Sequence, residues 1–61
     1  MRTTRIQRSD YSIWTIYRDD RGEWRWTRQS LNYETIGAST EIYVNRADCV
    51  SNAIRNGYEG D

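Results

Sequence analysis

The side chains best suited to chemistry in this chain are aromatic and basic. Trp24-Arg25-Trp26 brackets a guanidinium with two indoles, and Tyr17 and Arg28 stand nearby. Such a set can stack single-stranded bases while its arginines hold phosphates. The structural alternative is that both indoles are core, and it is the expected one, because a chain of 61 residues without phenylalanine has few other large rings to bury. Asp19-Asp20 sets two carboxylates side by side, as a metal or acid–base site would. They precede Arg21-Gly22, however, and acids in turns mostly accept bonds from nearby backbone donors. Cys49 is the only cysteine. Early in a helix its thiol pKa would fall, whereas a small buried hydrophobe is the simpler role. Arg2, Arg5 and Arg8 would suit an acidic partner or nucleic acid, and a disordered, solubilising N-terminal arm is the plainer reading.

Several chemistries are excluded. The chain has no histidine, which removes the Ser-His and Cys-His nucleophilic pairs. One cysteine and no histidine cannot build a four-ligand zinc site within the chain. No glycine-rich phosphate loop occurs. A non-enzymatic protein with no cofactor and no metal is expected. Nine arginines balance nine acids, so the clustered basic excess of a general nucleic-acid or membrane-surface binder is missing. No apolar run approaches the ~20 residues of a membrane helix, and no apolar stretch follows the N-terminal arginines as in a secretory signal. A soluble, cytoplasmic protein is expected.

Strands must position these residues. From Tyr11 to Arg18 the chain is β-rich and alternating, with Trp14 and Ile16 on one face and Ile13, Thr15 and Tyr17 on the other. Asp19 to Gly22 is the turn, and Trp24 to Gln29 the second strand. Two registers compete. A four-residue loop would put Trp24 on the face of Tyr17. A type I turn ending in Gly22 as a left-handed bulge residue would gather Trp24 and Trp26 with Trp14 and Ile16. The second is preferred, since it collects the indoles on one side and gives Gly22 the positive φ that glycine tolerates best. Arg25 and Thr27 then share the outer face with Ile13, Thr15 and Tyr17. Ser30 to Tyr33 reads as another turn around Asn32, and Glu34 to Ser39 as a weaker third strand with Ile36 and Ala38 on one face. Gly37 marks a close approach or a bulge.

Near Asn45 the period changes. Asn45 is an N-cap candidate, and Asp48 makes only a partial capping box. Ala47, Val50, Ala53 and Ile54 recur at spacings of three and four, one face of a short helix that Gly57 would end. Asn52 is polar in mid-helix; exposure is the simpler reading and a bond to a strand the other.

The motif Trp14-Thr15-Ile16-Tyr17-Arg18-Asp19, then Gly22-Glu23-Trp24-Arg25-Trp26, Glu34-Thr35-Ile36-Gly37-Ala38-Ser39, Tyr43, Ala47-Asp48-Cys49, Asn52 and Ile54 resembles the YegP-like domain of unknown function. That family runs aromatic-x-Ile-Tyr-Lys-Asp, Gly-Glu-aromatic-Arg-aromatic, a Gly-Glu-x-Ile-Ala-x-Ser strand, and a Tyr leading into a helix with Cys and Asn. The resemblance spans about residues 11 to 56. This chain has Leu31-Asn32-Tyr33 where the family usually has Asn-Gly, and Arg18 and Arg46 where Lys is usual. The resemblance implies a three-stranded antiparallel sheet with one helix, often in tandem or as a dimer, and no established activity, substrate or catalytic residue.

The expected fold is α+β, a three-stranded antiparallel sheet followed by one C-terminal helix packed on one face. Residues 1–9 form a flexible basic arm, 10–57 a single β-β-β-α domain, and 58–61 an acidic tail. The expected core is Trp14, Ile16, Trp24, Trp26, Ile36, Ala38, Val50 and Ile54. Ile13, Thr15, Tyr17, Arg25 and Thr27 form the candidate contact face. The expected function is a small protein–protein interaction module that self-associates, most simply as a homodimer. A single-stranded nucleic-acid binder and a small phage-type inhibitor of a larger host protein are the alternatives.

Overall fold

The computed structural model describes residues 2–61. Its elements are β1 (Arg2–Gln7), β2 (Ser12–Arg18), β3 (Trp24–Ser30), β4 (Thr35–Ala38) and α1 (Arg46–Arg55). The fold is α+β, with an antiparallel sheet in the order β1-β2-β3-β4. The helix packs against β3 on one face.

The β2–β3 hairpin takes the register that gathers the indoles. The Gly22 N–H donates to the Asp19 carbonyl at 3.0 Å, and the Asp19 N–H donates to the Glu23 carbonyl at 2.8 Å. Gly22 has φ +78°. Ile16 therefore pairs with Trp26 and Tyr17 with Arg25. The β3–β4 turn repeats this arrangement with other residues. Ser30 takes the place of Asp19, and the Tyr33 N–H donates to its carbonyl at 2.9 Å. The Ser30 hydroxyl oxygen accepts from the Glu34 N–H at 3.3 Å, as Asp19 Oδ1 accepts from the Glu23 N–H at 3.0 Å. Tyr33 stands where Gly22 stands, at φ +64°.

The sheet has four strands rather than three, because residues expected in a loose arm form β1. Met1, also assigned to that arm, lies outside the described residues. Pairing with β2 puts Thr3, Arg5 and Gln7 on the face of Ile16, Trp14 and Ser12. The buried member is a glutamine, which an apolar periodicity does not register. Gln7 is held by hydrogen bonds: its Nε2 donates to the Gly57 carbonyl at 2.8 Å, and its Oε1 accepts from the Glu59 N–H at 2.7 Å. Residues 58–61 are accordingly no free tail. Tyr58 is 2% exposed and belongs to the core.

The core holds Trp14, Ile16, Trp26, Cys49, Ala53 and Tyr58, with Trp24, Tyr43 and Val50 half-buried against it. Three expected core residues lie outside it. Ala38 pairs with Thr27 and so shares the outer face, and the register shifts at Arg28/Gln29, leaving Ile36 on an edge strand at 54% exposure. Ile54 is half exposed because α1 turns Cys49 and Ala53 inward instead of Ala47 and Ile54. One bond fixes that rotation: Trp26 Nε1 donates to Asn52 Oδ1 at 2.8 Å. Asn52 is thus a half-buried partner and not a solvated side chain. Asn45 occupies the N-cap position, yet its side chain makes no cap bond. At the other end the N–H groups of Gly57 and Tyr58 donate to the carbonyls of Ile54 and Ala53. This is a Schellman motif, with Gly57 at φ +114°.

Two stability predictions follow from these contacts. Gln7→Ala removes two hydrogen bonds made by a buried side chain, at about 0.5–1.5 kcal/mol for each. That is a large part of the roughly 3–9 kcal/mol expected for a domain of this size, and urea unfolding should show a strongly lowered midpoint. Tyr33→Gly removes left-handed strain at an exposed turn position and should raise the midpoint, by up to about 1 kcal/mol, with an unchanged denaturant slope.

Candidate functional site

The sheet presents two faces of opposite character. On the helix side Trp14 packs between Trp26, at a centroid distance of 5.1 Å, and Tyr58, at 5.3 Å, both rings tilted against it. Guanidinium groups lie over the indoles of this face, Arg28 at 5.6 Å from the Trp14 ring and Arg46 at 6.0 Å from the Trp24 ring. Each is also held by a carboxylate: Arg28 pairs with Asp10 at 2.8 Å and Arg46 with Asp61 at 2.7 Å. The Trp14 and Trp26 rings are buried, so they are not available as a platform for stacking bases. Trp24 is half-buried.

The opposite face carries the residues expected to make contacts, and the register brings them together. Tyr17 lies between Arg2 and Arg25, Thr15 between Thr4 and Thr27, and Ile13 between Ile6 and Gln29. Ile13 is a correction in one respect. It shares this face but is only 6% exposed, because β1 lies beside it where open solvent was expected. Ile6, at 62%, is exposed in its place. Arg2, Thr4 and Ile6 are thus members of the face that the sequence reading missed. The alternation of Thr4 and Ile6 along β1 was the available signal. For Tyr58 the signal was its place directly after the helix-ending glycine, where a residue packing back on the helix is common.

At one end of this face an open hollow of about 430 Å³ is lined by Tyr17, Asp19, Asp20, Arg21 and Arg25. Asp19 organises it. Its Oδ2 accepts from Arg25 Nε at 2.8 Å, and its Oδ1 accepts from the Arg21 and Glu23 N–H groups at 2.9 and 3.0 Å. The Arg25 bond, followed by the backbone bonds, holds the Asp19 carboxyl below its ordinary value. Asp19 therefore acts as a turn acid. The Arg2 guanidinium lies 5.9 Å from the Tyr17 ring centroid. Cys49 is a fully buried free thiol whose pKa is pushed up by that burial, the opposite of an activated nucleophile. Among the described residues no group of three His, Cys, Asp or Glu side chains is placed to hold a metal, and no helix is long and apolar enough to cross a membrane.

The titrating groups predict a defined pH dependence. Burial, reinforced by the hydrogen bond from its hydroxyl to Asp61, raises the Tyr58 phenol from 10.0 to about 12. The folded state holds this proton more tightly than the unfolded chain. Its stabilisation is complete below pH 10 and is lost as pH rises towards 12. In the acid range the signs reverse. Asp10, bonded by the Ser12 hydroxyl and then Arg28, and Asp61, bonded by the Tyr58 hydroxyl and then Arg46, are held below their ordinary 3.8. Their contribution is present above that value and disappears as pH falls through the lowered ones. Denaturation followed from neutral to alkaline pH should show a steeper loss of stability above pH 10 in the native protein than in Tyr58→Phe; equal slopes would contradict the assignment.

No family model, no curated protein and no solved structure matches the chain.

Proposed function

We propose that this protein is a small non-catalytic protein–protein interaction module that associates with copies of itself through its sheet. The supporting observation is the asymmetry of that sheet: the helix and the C-terminal segment cover one face, and Arg2, Thr4, Thr15, Tyr17, Arg25 and Thr27 share the uncovered one. Aromatic and arginine side chains are enriched in protein interfaces, and Tyr17 lies between two arginines. A threonine-rich surface with one ring and few charges is suited to contact with another surface and offers little for bond-making chemistry. Unpaired strand edges add further sites for association. The YegP-like resemblance rests on the motif residues of β2, β3, β4 and α1; its expectation of paired or tandem domains agrees with this reading, and it assigns no activity. A cytoplasmic setting accords with Cys49 as a free, buried thiol.

The contact is expected to be weak. A molecule of 28 × 20 × 19 Å offers a flat face at the small end of the roughly 800 Å² per partner of standard interfaces. Sedimentation velocity from micromolar to millimolar protein should show the average mass rising with concentration. A strict monomer throughout that range would refute the self-association.

A further inference from the structure

We propose that Asn56-Gly57 is a site of spontaneous deamidation, which the fold holds closed and which release of the C-terminal segment opens. Of Asn32, Asn45, Asn52 and Asn56, only Asn56 is followed by glycine. Glycine leaves the backbone nitrogen after the asparagine free of a neighbouring side chain. The Gly57 nitrogen gives up its proton to solvent base and attacks the side-chain carbonyl carbon of Asn56. A nitrogen–carbon bond forms, the Cγ–Nδ2 bond breaks, and the amide nitrogen leaves as ammonia. Water then opens the cyclic imide at either carbonyl, giving aspartate or isoaspartate. Nothing is oxidised or reduced, and water is the sole co-reactant.

In the folded protein each reacting atom is engaged elsewhere. The Gly57 N–H donates to the Ile54 carbonyl at 3.1 Å. Asn56 Nδ2 donates to the Asn52 carbonyl at 2.8 Å, which draws the side chain back along α1. Asn56 has ψ 5°. At that angle its own nitrogen is eclipsed with the Gly57 nitrogen, and tetrahedral geometry sets Cβ about a third of a turn away. Ring closure needs Cβ in the eclipsed place. Both residues are exposed, so water and base reach them, and geometry is the barrier. Turning ψ of Asn56 carries Gly57 and Tyr58 with it. The Gly57 carbonyl is held by Gln7 Nε2, and Tyr58 is buried against Trp14. The site therefore opens when the C-terminal segment leaves the core. The product weakens the fold it came from. A carboxylate at position 56 has no N–H for the Asn52 carbonyl, and its charge opposes the dipole at the end of α1. Isoaspartate also lengthens the backbone immediately before Gly57. Unfolding thus leaves a permanent chemical mark.

Peptide mapping by mass spectrometry tests this. The native protein and Gln7→Ala are incubated in mildly alkaline buffer, with and without unfolding concentrations of guanidinium chloride. In denaturant both should react first at Asn56 and at the same rate. Without it, the native protein should react at least roughly a hundredfold more slowly, because full opening is that rare even in a domain of low ordinary stability. Gln7→Ala should react faster than the native protein by the fold-change in its unfolding equilibrium; if this variant does not fold, its rates in buffer and denaturant should coincide. Three results overturn the proposal: equal native rates with and without denaturant, first reaction at Asn32, Asn45 or Asn52, or equal rates for Gln7→Ala and the native protein in buffer. Asn56→Asp, checked for folding by near-ultraviolet circular dichroism, should unfold at a lower denaturant concentration than the native protein. An unchanged midpoint overturns the claim that the product weakens the fold.

Discussion

The fold depends on the enclosure of one indole. Trp14 lies between Trp26 and Tyr58 with no exposed surface of its own. Aromatic side chains bury about 150–250 Å² each, and paired rings add to what area alone provides. In a chain that buries only ~60% of its unfolded surface, these three rings are the largest apolar contribution available. They come from β2, from β3 and from the residue after the helix cap. The cluster therefore cannot form until the C-terminal segment has returned across the sheet, and the N-terminal strand holds it there through Gln7.

Polar contacts around this cluster have a common logic. Asn52 satisfies the Trp26 indole and thereby sets which side of α1 faces the sheet. Arg28 and Arg46 cover indole faces and are themselves neutralised by Asp10 and Asp61. Much of the charge on the helix side is thus spent internally. The outer face has fewer such ties, with Asp19 and Arg25 as its ion pair. Among the described residues, Arg2, Arg8, Glu34 and Glu41 have no ion-pair partner. The distribution separates a face that builds the core from a face and two edges that remain free for contact.

The β2–β3 hairpin, and which of its side chains share the outer face, were legible in the sequence once a glycine-ended turn was chosen over a four-residue loop. Gly22 sets the turn, and a turn of that kind leaves Trp24 and Trp26 only one side of the sheet. Gly57 likewise announced the end of α1. The missed features were those decided by polar partners. β1 has a glutamine as its most buried residue, and no periodicity of apolar side chains finds it. The rotation of α1 depends on a bond between Asn52 and an indole 26 positions away in sequence, so Ile54, expected in the core, lies half exposed, while Cys49 is buried as its small apolar character suggests. Ile36 and Ala38 left the core because a bulge and an edge position changed what their alternation meant. Tyr33 at positive φ was hidden because a residue other than glycine occupies the left-handed site.

The Trp14, Trp26 and Tyr58 rings form a closed structural cluster on the helix side of the sheet. Proton NMR tests it most directly. The account predicts nuclear Overhauser contacts from the Trp14 ring to both Trp26 and Tyr58, with the Trp26 indole N–H protected from exchange by its bond to Asn52. Absence of those contacts, with the Trp14 and Trp26 indole protons exchanging as fast as in a free peptide, would contradict it.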